Sequence, residues 1–218
     1  MMLGRRIFLT GGTGYLGSRL IPLLLMRGHD VTAMVRPGSE TKLPPGVRIV
    51  VGDALDPESL KESLADSETW IQLIGTPHPA PWKARKFRRV DLRAVAASVT
   101  ALKESKIRHY VYLSVAQPSP VMRAYVKIRQ EAETLLRQTN ATVTFLRPWY
   151  VLGPGRWWPA ALLPVYKVLE RIPATREGAE RFGLVTVRQI LAALVQAAEK
   201  PPASVRILDV PAIRAARF

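Results

Sequence analysis

The residues of this chain most suited to chemistry are three glycines spaced as Gly12-x-Gly14-x-x-Gly17, and the chemistry they suit is the holding of a phosphate. A short apolar run, Ile7-Phe8-Leu9, precedes them, and Leu16, Leu20, Leu23 and Leu24 follow at helical spacing. The pattern reads as strand, tight turn, helix. Such a turn needs glycine where the backbone takes a positive φ, and again where it approaches an anion closely. Gly17, one helical turn in, lets the helix lie close to the strand. Backbone N–H groups and the positive end of the helix dipole then face the space above the loop, and a pyrophosphate fits there.

A second signal follows the second expected strand, 31–35, in the form Arg36-Pro37-Gly38-Ser39. An acidic residue here would accept hydrogen bonds from an adenosine ribose 2′-hydroxyl and repel a 2′-phosphate, whereas arginine pairs with that phosphate bidentately. NADP is therefore expected, with NAD as second choice; Arg36 is the phosphate partner and Ser39 and Lys42 are its helpers. The chain has no cysteine, which excludes disulfides, thiolate nucleophiles and cysteine-ligated metals. His29, His78 and His109 lie far apart with no ligand pattern, so no metal site is expected; His29 and His109 each precede a strand and are expected at the surface.

The elements that must position these groups alternate along the chain. Strands are expected at 31–35, 47–51, 70–74, 110–113, 142–146 and 205–210. Between them, Asp56-Pro57-Glu58 carries a cap, a first-turn proline and a dipole-favoured acid, so a helix should start there with Leu60 and Leu64 inward. Further helices are marked by Leu92, Val95, Ala96, Val99 and Leu102, by 121–136, and by Ile190, Leu191, Leu194 and Ala198. Pro22 should bend the first helix. The expected fold is α/β, a Rossmann-type doubly wound parallel sheet in a single domain, 1–218. In such sheets ligands sit at the carboxyl ends of strands, which places Gly75 and Thr76 against the cofactor.

Two stretches break the rhythm. Residues 149–187 hold Trp149, Trp157 and Trp158 and are expected to form a small helical cap on the substrate side, before the last helix and strand. A lid over an apolar substrate and a membrane-dipping surface are the other readings of this stretch. Residues 77–89 hold five basic residues interleaved with Trp82 and Phe87. They could grip a phosphate-bearing substrate, a membrane surface or single-stranded nucleic acid, or form a solvated lip beside the site; the lip is favoured.

Composition sets the bounds. The 218 residues, 48% hydrophobic, suffice for one good core, and no apolar run approaches the length of a membrane span. The run after Arg5 and Arg6 is too short for a signal-peptide core, so the chain is read as cytoplasmic. The net charge of +15, from 32 basic and 17 acidic residues, favours anionic partners. The basic residues are scattered, which argues against a dedicated nucleic-acid face. Peripheral membrane contact is left open, and the sequence fixes no oligomeric state.

The string Thr10-Gly11-Gly12-Thr13-Gly14-Tyr15-Leu16-Gly17 resembles the TGxxGxxG fingerprint of the short-chain dehydrogenase/reductase superfamily. Val51-Gly52-Asp53, the strand from Tyr110 to Ser114, Leu146-Arg147-Pro148 and Gly153-Pro154-Gly155 extend the resemblance over nearly the whole chain. It is nearest to the atypical epimerase/dehydratase branch, which includes NmrA-like proteins and the dinucleotide-binding accessory subunit of respiratory complex I, so the resemblance leaves respiratory-complex contact open. The resemblance assigns cofactor contacts to Gly11, Gly12, Thr13, Gly14, Tyr15, Leu16 and Gly17, to Asp53 and Ala54, to Gly75 and Thr76, and to Arg129 and Pro148.

It also implies a reaction. The superfamily uses a tyrosine, a lysine four residues later and a serine from the preceding strand end. Here Tyr125 is followed by Arg129, in the register set by Arg129-Gln130-Glu131-Ala132-Glu133. Lys127, two residues round the helix from Tyr125, points nearly the opposite way. Arginine keeps the charge but is larger and less adaptable. Ser114 holds the serine position, without hydroxyls at Val115 and Ala116. Two functions follow. One is an NADP-dependent oxidoreductase or epimerase/dehydratase on a small apolar carbonyl or hydroxyl substrate, with Tyr125 as acid/base, Arg129 on the ribose and Ser114 orienting the oxygen. The other is a non-catalytic dinucleotide-binding redox sensor or assembly protein.

Overall fold

The computed structural model describes residues 4–64, 66–77, 79–119, 121–162, 164, 166 and 171–218; His78 lies outside them. Seven strands form one parallel sheet: β1 (Arg6–Thr10), β2 (Asp30–Val35), β3 (Arg48–Val51), β4 (Thr69–Gln72), β5 (His109–Leu113), β6 (Thr142–Leu146) and, numbered after two strands of the cap, β9 (Val205–Leu208). Their order is β3-β2-β1-β4-β5-β6-β9. The order reverses between β1 and β4, which opens a crevice at their carboxyl ends.

Helices cover both faces, and the side-chain alternation of β1 shows how. Ile7 and Leu9 face α1 (Gly17–Met26), α7 (Val187–Glu199) and α8 (Val210–Ala215), in a core with Leu20, Leu24, Ile190 and Ile213. Phe8 faces α2 (Pro57–Leu64), α4 (Arg93–Leu102) and α5 (Arg123–Arg137), in a core with Leu60, Trp70, Tyr110 and Phe145. Burial on both faces explains why the central strands read as continuous apolar runs. Asp56 caps α2 as its sequence promises, accepting from the N–H of Ser59 at 3.2 Å. Pro22 lies inside α1 without ending it.

Four expectations are corrected. The expected lip is helical from Pro81 on: a tight turn at Pro81–Lys83 leads into α3 (Ala84–Lys86) and a wide π turn, Phe87–Leu92, which runs on into α4. Phe87 is the reason, because it is fully buried against the Tyr125 ring at 4.9 Å and pins the segment to α5. The cap is not purely helical: β7 (Tyr150–Leu152) and β8 (Leu184–Thr186) pair in parallel, beside α6 (Pro173–Arg181). The last strand stops at Leu208, and Asp209 caps an additional helix, α8, by accepting from Ala212 N–H at 3.0 Å.

The fourth correction concerns the histidines, both of which are buried. His29 accepts from the Arg5 N–H at 3.1 Å and lies 3.3 Å from the Glu199 carboxylate. His109 is 1% exposed inside the central strand β5, with Nε2 2.9 Å from Thr144 Oγ1. Burial, aided by the Arg206 and Arg5 charges, pushes His109 down to about 3.

Candidate dinucleotide and catalytic site

The glycine loop joins β1 to α1 at the crevice. Gly11 takes the left-handed conformation, φ +85°, and a Cβ there would lie 2.8 Å from the Leu73 backbone of the neighbouring β4 exit. A Cβ on Gly17 would collide with the Gly11 carbonyl and lie 2.7 Å from Gly12 Cα. Helix, loop and strand are thus in contact through backbone alone, as the spacing predicts. Thr13 and Gly14 are exposed at the mouth, and the N-terminus of α1 carries neither a capping side chain nor an acid in its first turn. An anion can approach the amide groups unopposed, so the loop fits a dinucleotide pyrophosphate.

Most of the other expected cofactor residues leave the carboxyl ends of further strands of the same sheet. Arg36 is exposed at the carboxyl end of β2, and Ser39 closes a turn onto its carbonyl at 3.1 Å. Asp53 follows β3, exposed, with Oδ1 accepting from Leu55 N–H at 2.9 Å; Ala54 is half-buried beside it. Leu16 is buried in the core under α1. Pro148 follows β6 and accepts from Ala116 N–H at 3.0 Å.

The residues after β4 and on α5 form one buried network. Asp91, in the π turn, accepts from Thr76 N–H at 3.1 Å and Thr76 Oγ1 at 2.6 Å. It also pairs with Arg129 at 2.7 Å, where the two side chains are 0% and 4% exposed. The other terminal nitrogen of Arg129 donates to Tyr112 Oη at 2.8 Å and to the Leu113 carbonyl at 3.0 Å. Burial works against the Arg129 charge, but Tyr112, Tyr125 and Asp91 around it outweigh that cost and raise its pKa, and the buried Tyr112 hydroxyl is pushed up to about 12, chiefly by loss of solvent. Gly75 lies directly over the pair: a Cβ there would reach 2.5 Å from the guanidinium. Arg129 is therefore engaged inside the fold, with its guanidinium 5.1 Å from the half-buried Tyr125 ring.

Ser114 is engaged as well. Its hydroxyl donates to Glu133 at 2.6 Å, and that carboxylate also accepts from Gln117 at 2.6 Å and Arg147 at 2.9 Å. Tyr125, Arg129 and Glu133 recur every four residues along one face of α5, so a single helix carries the phenol and both ion pairs. Lys127 is exposed on the opposite side.

Sequence reasoning missed Asp91, Glu133 and Arg156. The last leaves the turn Gly153-Pro154-Gly155, in which Gly155 has φ +75°, and sets its guanidinium 4.1 Å from the centre of the Tyr15 ring. Arg19 lies 4.2 Å from the same ring, so a cap turn and the cofactor helix meet on one aromatic. The signal that could have found Asp91 is an acid placed on the buried side of a basic, amphipathic stretch. A cavity of about 240 Å³ lies over the carboxyl ends of β5, β6 and β9, walled by Gln117, Arg147, Glu177, Arg181, Ile207 and Asp209. Its walls are charged, and neither Tyr125 nor the glycine loop borders it. Among the described residues no group of acids and histidines could hold a metal, and no helix is long and apolar enough to cross a membrane.

A family model described as NAD(P)H-binding matches residues 11–154, from the glycine loop into the first turn of the cap. The chain is 26% identical to a 3-diazoavenalumate denitrifying reductase of Streptomyces sp., over 89% of this chain and 72% of that protein. It is 25% identical to a ceramide reductase of Caulobacter vibrioides, over 89% of this chain and 61% of the relative. A ketoreductase of Stigmatella aurantiaca acting on a farnesyl dihydroquinoline oxide is 25% identical over 68% of this chain, which spans about half of that relative, 51%. Among solved structures, MoeE5 in complex with UDP-glucose and NAD superposes with a TM-score of 0.69 at 22% identity, over 93% of this chain and 75% of that one. A UDP-glucose 4-epimerase superposes with a TM-score of 0.70 at 15% identity, over 96% and 80% of the two chains. With its glycine loop, its strand order and a family match over more than half its length, the chain belongs to the NAD(P)H-binding family.

Proposed function

We propose that the protein is an NADP(H)-dependent oxidoreductase acting on a small carbonyl or hydroxyl substrate with a largely apolar body. The observation that carries this reading is the line of contacts from Thr76 through Asp91 and Arg129 to the Tyr125 ring. It holds a phenol near the carboxyl ends of β4 and β5, where this fold places the reacting end of a dinucleotide.

The dinucleotide, when bound, supplies or accepts the hydride. In the reducing direction Tyr125 gives its hydroxyl proton to the substrate oxygen as the adjacent carbon takes the hydride, and solvent returns the proton. Arg129 contributes a fixed positive charge beside the ring. Because its two terminal nitrogens are already engaged by Asp91, Tyr112 and Leu113 and its Nε is buried, it acts as a positioning residue, and the ribose is held by other groups. Ser114 donates to Glu133, which leaves its oxygen able to accept from a substrate hydroxyl. Arg36, exposed with no carboxylate partner among the described residues, supports NADP. The aromatic cluster of Trp149, Tyr150 and Phe182 in the cap supports an apolar substrate body, and the reductase names of three relatives support redox chemistry.

A second reading, a non-catalytic dinucleotide-binding protein, is favoured by one observation: Arg129 and Ser114 both serve internal carboxylates. Calorimetric titration with NADPH and NADH, followed by an acceptor screen, separates the two. NADPH is expected to bind more tightly, and Arg36→Asp to swing the NADPH/NADH affinity ratio toward NADH by about tenfold or more; an unchanged ratio removes Arg36 from this role. Tyr125→Phe should abolish turnover while NADPH affinity stays within about twofold. Turnover that survives this change rejects the assignment, and tight binding without turnover on any acceptor class turns the conclusion to the second reading.

A further inference from the structure

The helical segment that runs from Pro81 into α4 has two faces of opposite character. Phe87 and Leu92 are buried against the body, while Trp82, Arg85, Lys86 and Arg89 are all exposed. At three- and four-residue spacing these four share the outer face. Trp82 is 83% exposed, which is rare for so large an apolar side chain without a partner to meet. No acidic residue lies between Pro77 and Val90. The two acids nearest the segment are engaged, Asp91 by Arg129 and Glu131 by Arg88. Arg85, Lys86 and Arg89 pair with no carboxylate among the described residues.

More apolar surface lies at the same end of the molecule. The turn Pro81–Lys83 packs against α5. Val121, two residues before α5 begins, is largely exposed, and so is Trp157 in the cap. All of these residues leave the carboxyl ends of the strands, the end at which the candidate site opens. A cationic face bearing an exposed tryptophan, beside exposed aliphatic surface, matches the interfacial zone of an anionic membrane, where indole rings settle at headgroup depth and lysine and arginine meet lipid phosphates. Single-stranded nucleic acid would also use the tryptophan and the cations, but stacking gives no use to an exposed valine.

We infer that the outer face of Trp82, Arg85, Lys86 and Arg89 docks the protein on anionic lipid bilayers, with the candidate site turned toward the membrane surface. The docking is electrostatic and peripheral. It needs no bound dinucleotide and stands whether or not the catalytic reading does.

The test is flotation of the full chain with vesicles of phosphatidylcholine alone and of phosphatidylcholine with one-third phosphatidylserine, at low salt and in half-molar sodium chloride. Binding is expected to the anionic vesicles only, and to be released by salt. Replacing Arg85, Lys86 and Arg89 together by alanine should weaken partitioning on the order of a hundredfold, at about fivefold per cation. Trp82→Ala should weaken it about tenfold. Both variants lie on the outer face and should keep the wild-type melting temperature, which separates lost docking from lost folding. Failure of the wild-type chain to float, equal flotation with neutral vesicles, or flotation indifferent to both variants would overturn the inference. So would retention of a single-stranded oligonucleotide that both variants abolish while vesicle binding persists.

Discussion

At the carboxyl end of β1 the groups facing the crevice belong to the backbone, and residues 11–17 reach one another without the help of a charged side chain. At the carboxyl ends of β5 and β6 the polar groups are side chains, and each is already partnered: Arg129 by Asp91, and Ser114 and Arg147 by Glu133. The first region is open and ready for a ligand. In the second, residues that could act on a substrate hold α5 to the sheet. A backbone requirement such as positive φ or contact at Cα distance can be met by one residue type only, so it singles out both a residue and a role. A charged side chain meets many requirements equally well, and its residue type leaves the role undecided.

The comparison breaks most directly at Gly17. Its Cβ would collide with the Gly11 carbonyl, and both partners are backbone, so nothing there can give way. Gly17→Val is expected to abolish dinucleotide binding, with at least a hundredfold loss by calorimetry, because the loop must leave the position that presents its amides. Retained affinity would mean that the ligand does not use this loop.

Next in size is a contrast on α5 itself. Asp91→Ala leaves the Arg129 cation buried and unpaired and removes the acceptor of Thr76, a loss of about 3–5 kcal/mol by urea unfolding. Glu133→Ala should cost less, because its partner Arg147 is partly exposed and can turn to water. Equal costs would show that both pairs are equally dry and that the crevice does not extend to Glu133.

What was legible follows the same division. The alternation of strands and helices, the glycine loop and the cap of α2 could be read because each rests on local chemistry: apolar period, backbone freedom, and Asp56 ahead of a first-turn proline. A similar signal, a capping aspartate with a first-turn proline, stands at Asp209-Val210-Pro211 and marks α8; it was hidden because Val210 also continues the apolar run of β9. The wide turn at Phe87–Leu92 was not legible from a segment dense in charge, since tertiary contacts order it: Phe87 against Tyr125, and Asp91 with Arg129 and Thr76. The engagement of Arg129 was hidden for a tertiary reason as well: Asp91 lies 38 residues earlier, and only the fold brings the two together.

His109 tests whether the β5 side of the sheet is as dry as its ion pairs require. With its pKa depressed to about 3 from the ordinary 6.5, the folded chain refuses a proton that the unfolded chain accepts. Stability should therefore be unaffected by this group above pH 6.5 and fall as the pH drops from there toward 3, by about 1.4 kcal/mol per unit. Glu199, whose own pKa is lowered by its hydrogen bonds to Arg27 and His29 against a burial penalty, loses stability over a more acidic range, so the raw curve mixes the two. His109→Gln removes only the first, since an amide can still bond Thr144 and does not titrate. The difference between wild type and variant, by urea unfolding at pH 7, 6, 5 and 4.5, should be flat above 6.5 and steepen below it. Parallel curves would mean that His109 takes up its proton in the folded state, that water reaches the foot of β5, and that the side-chain half of the sheet is wetter than the pairing of Arg129 with Asp91 implies.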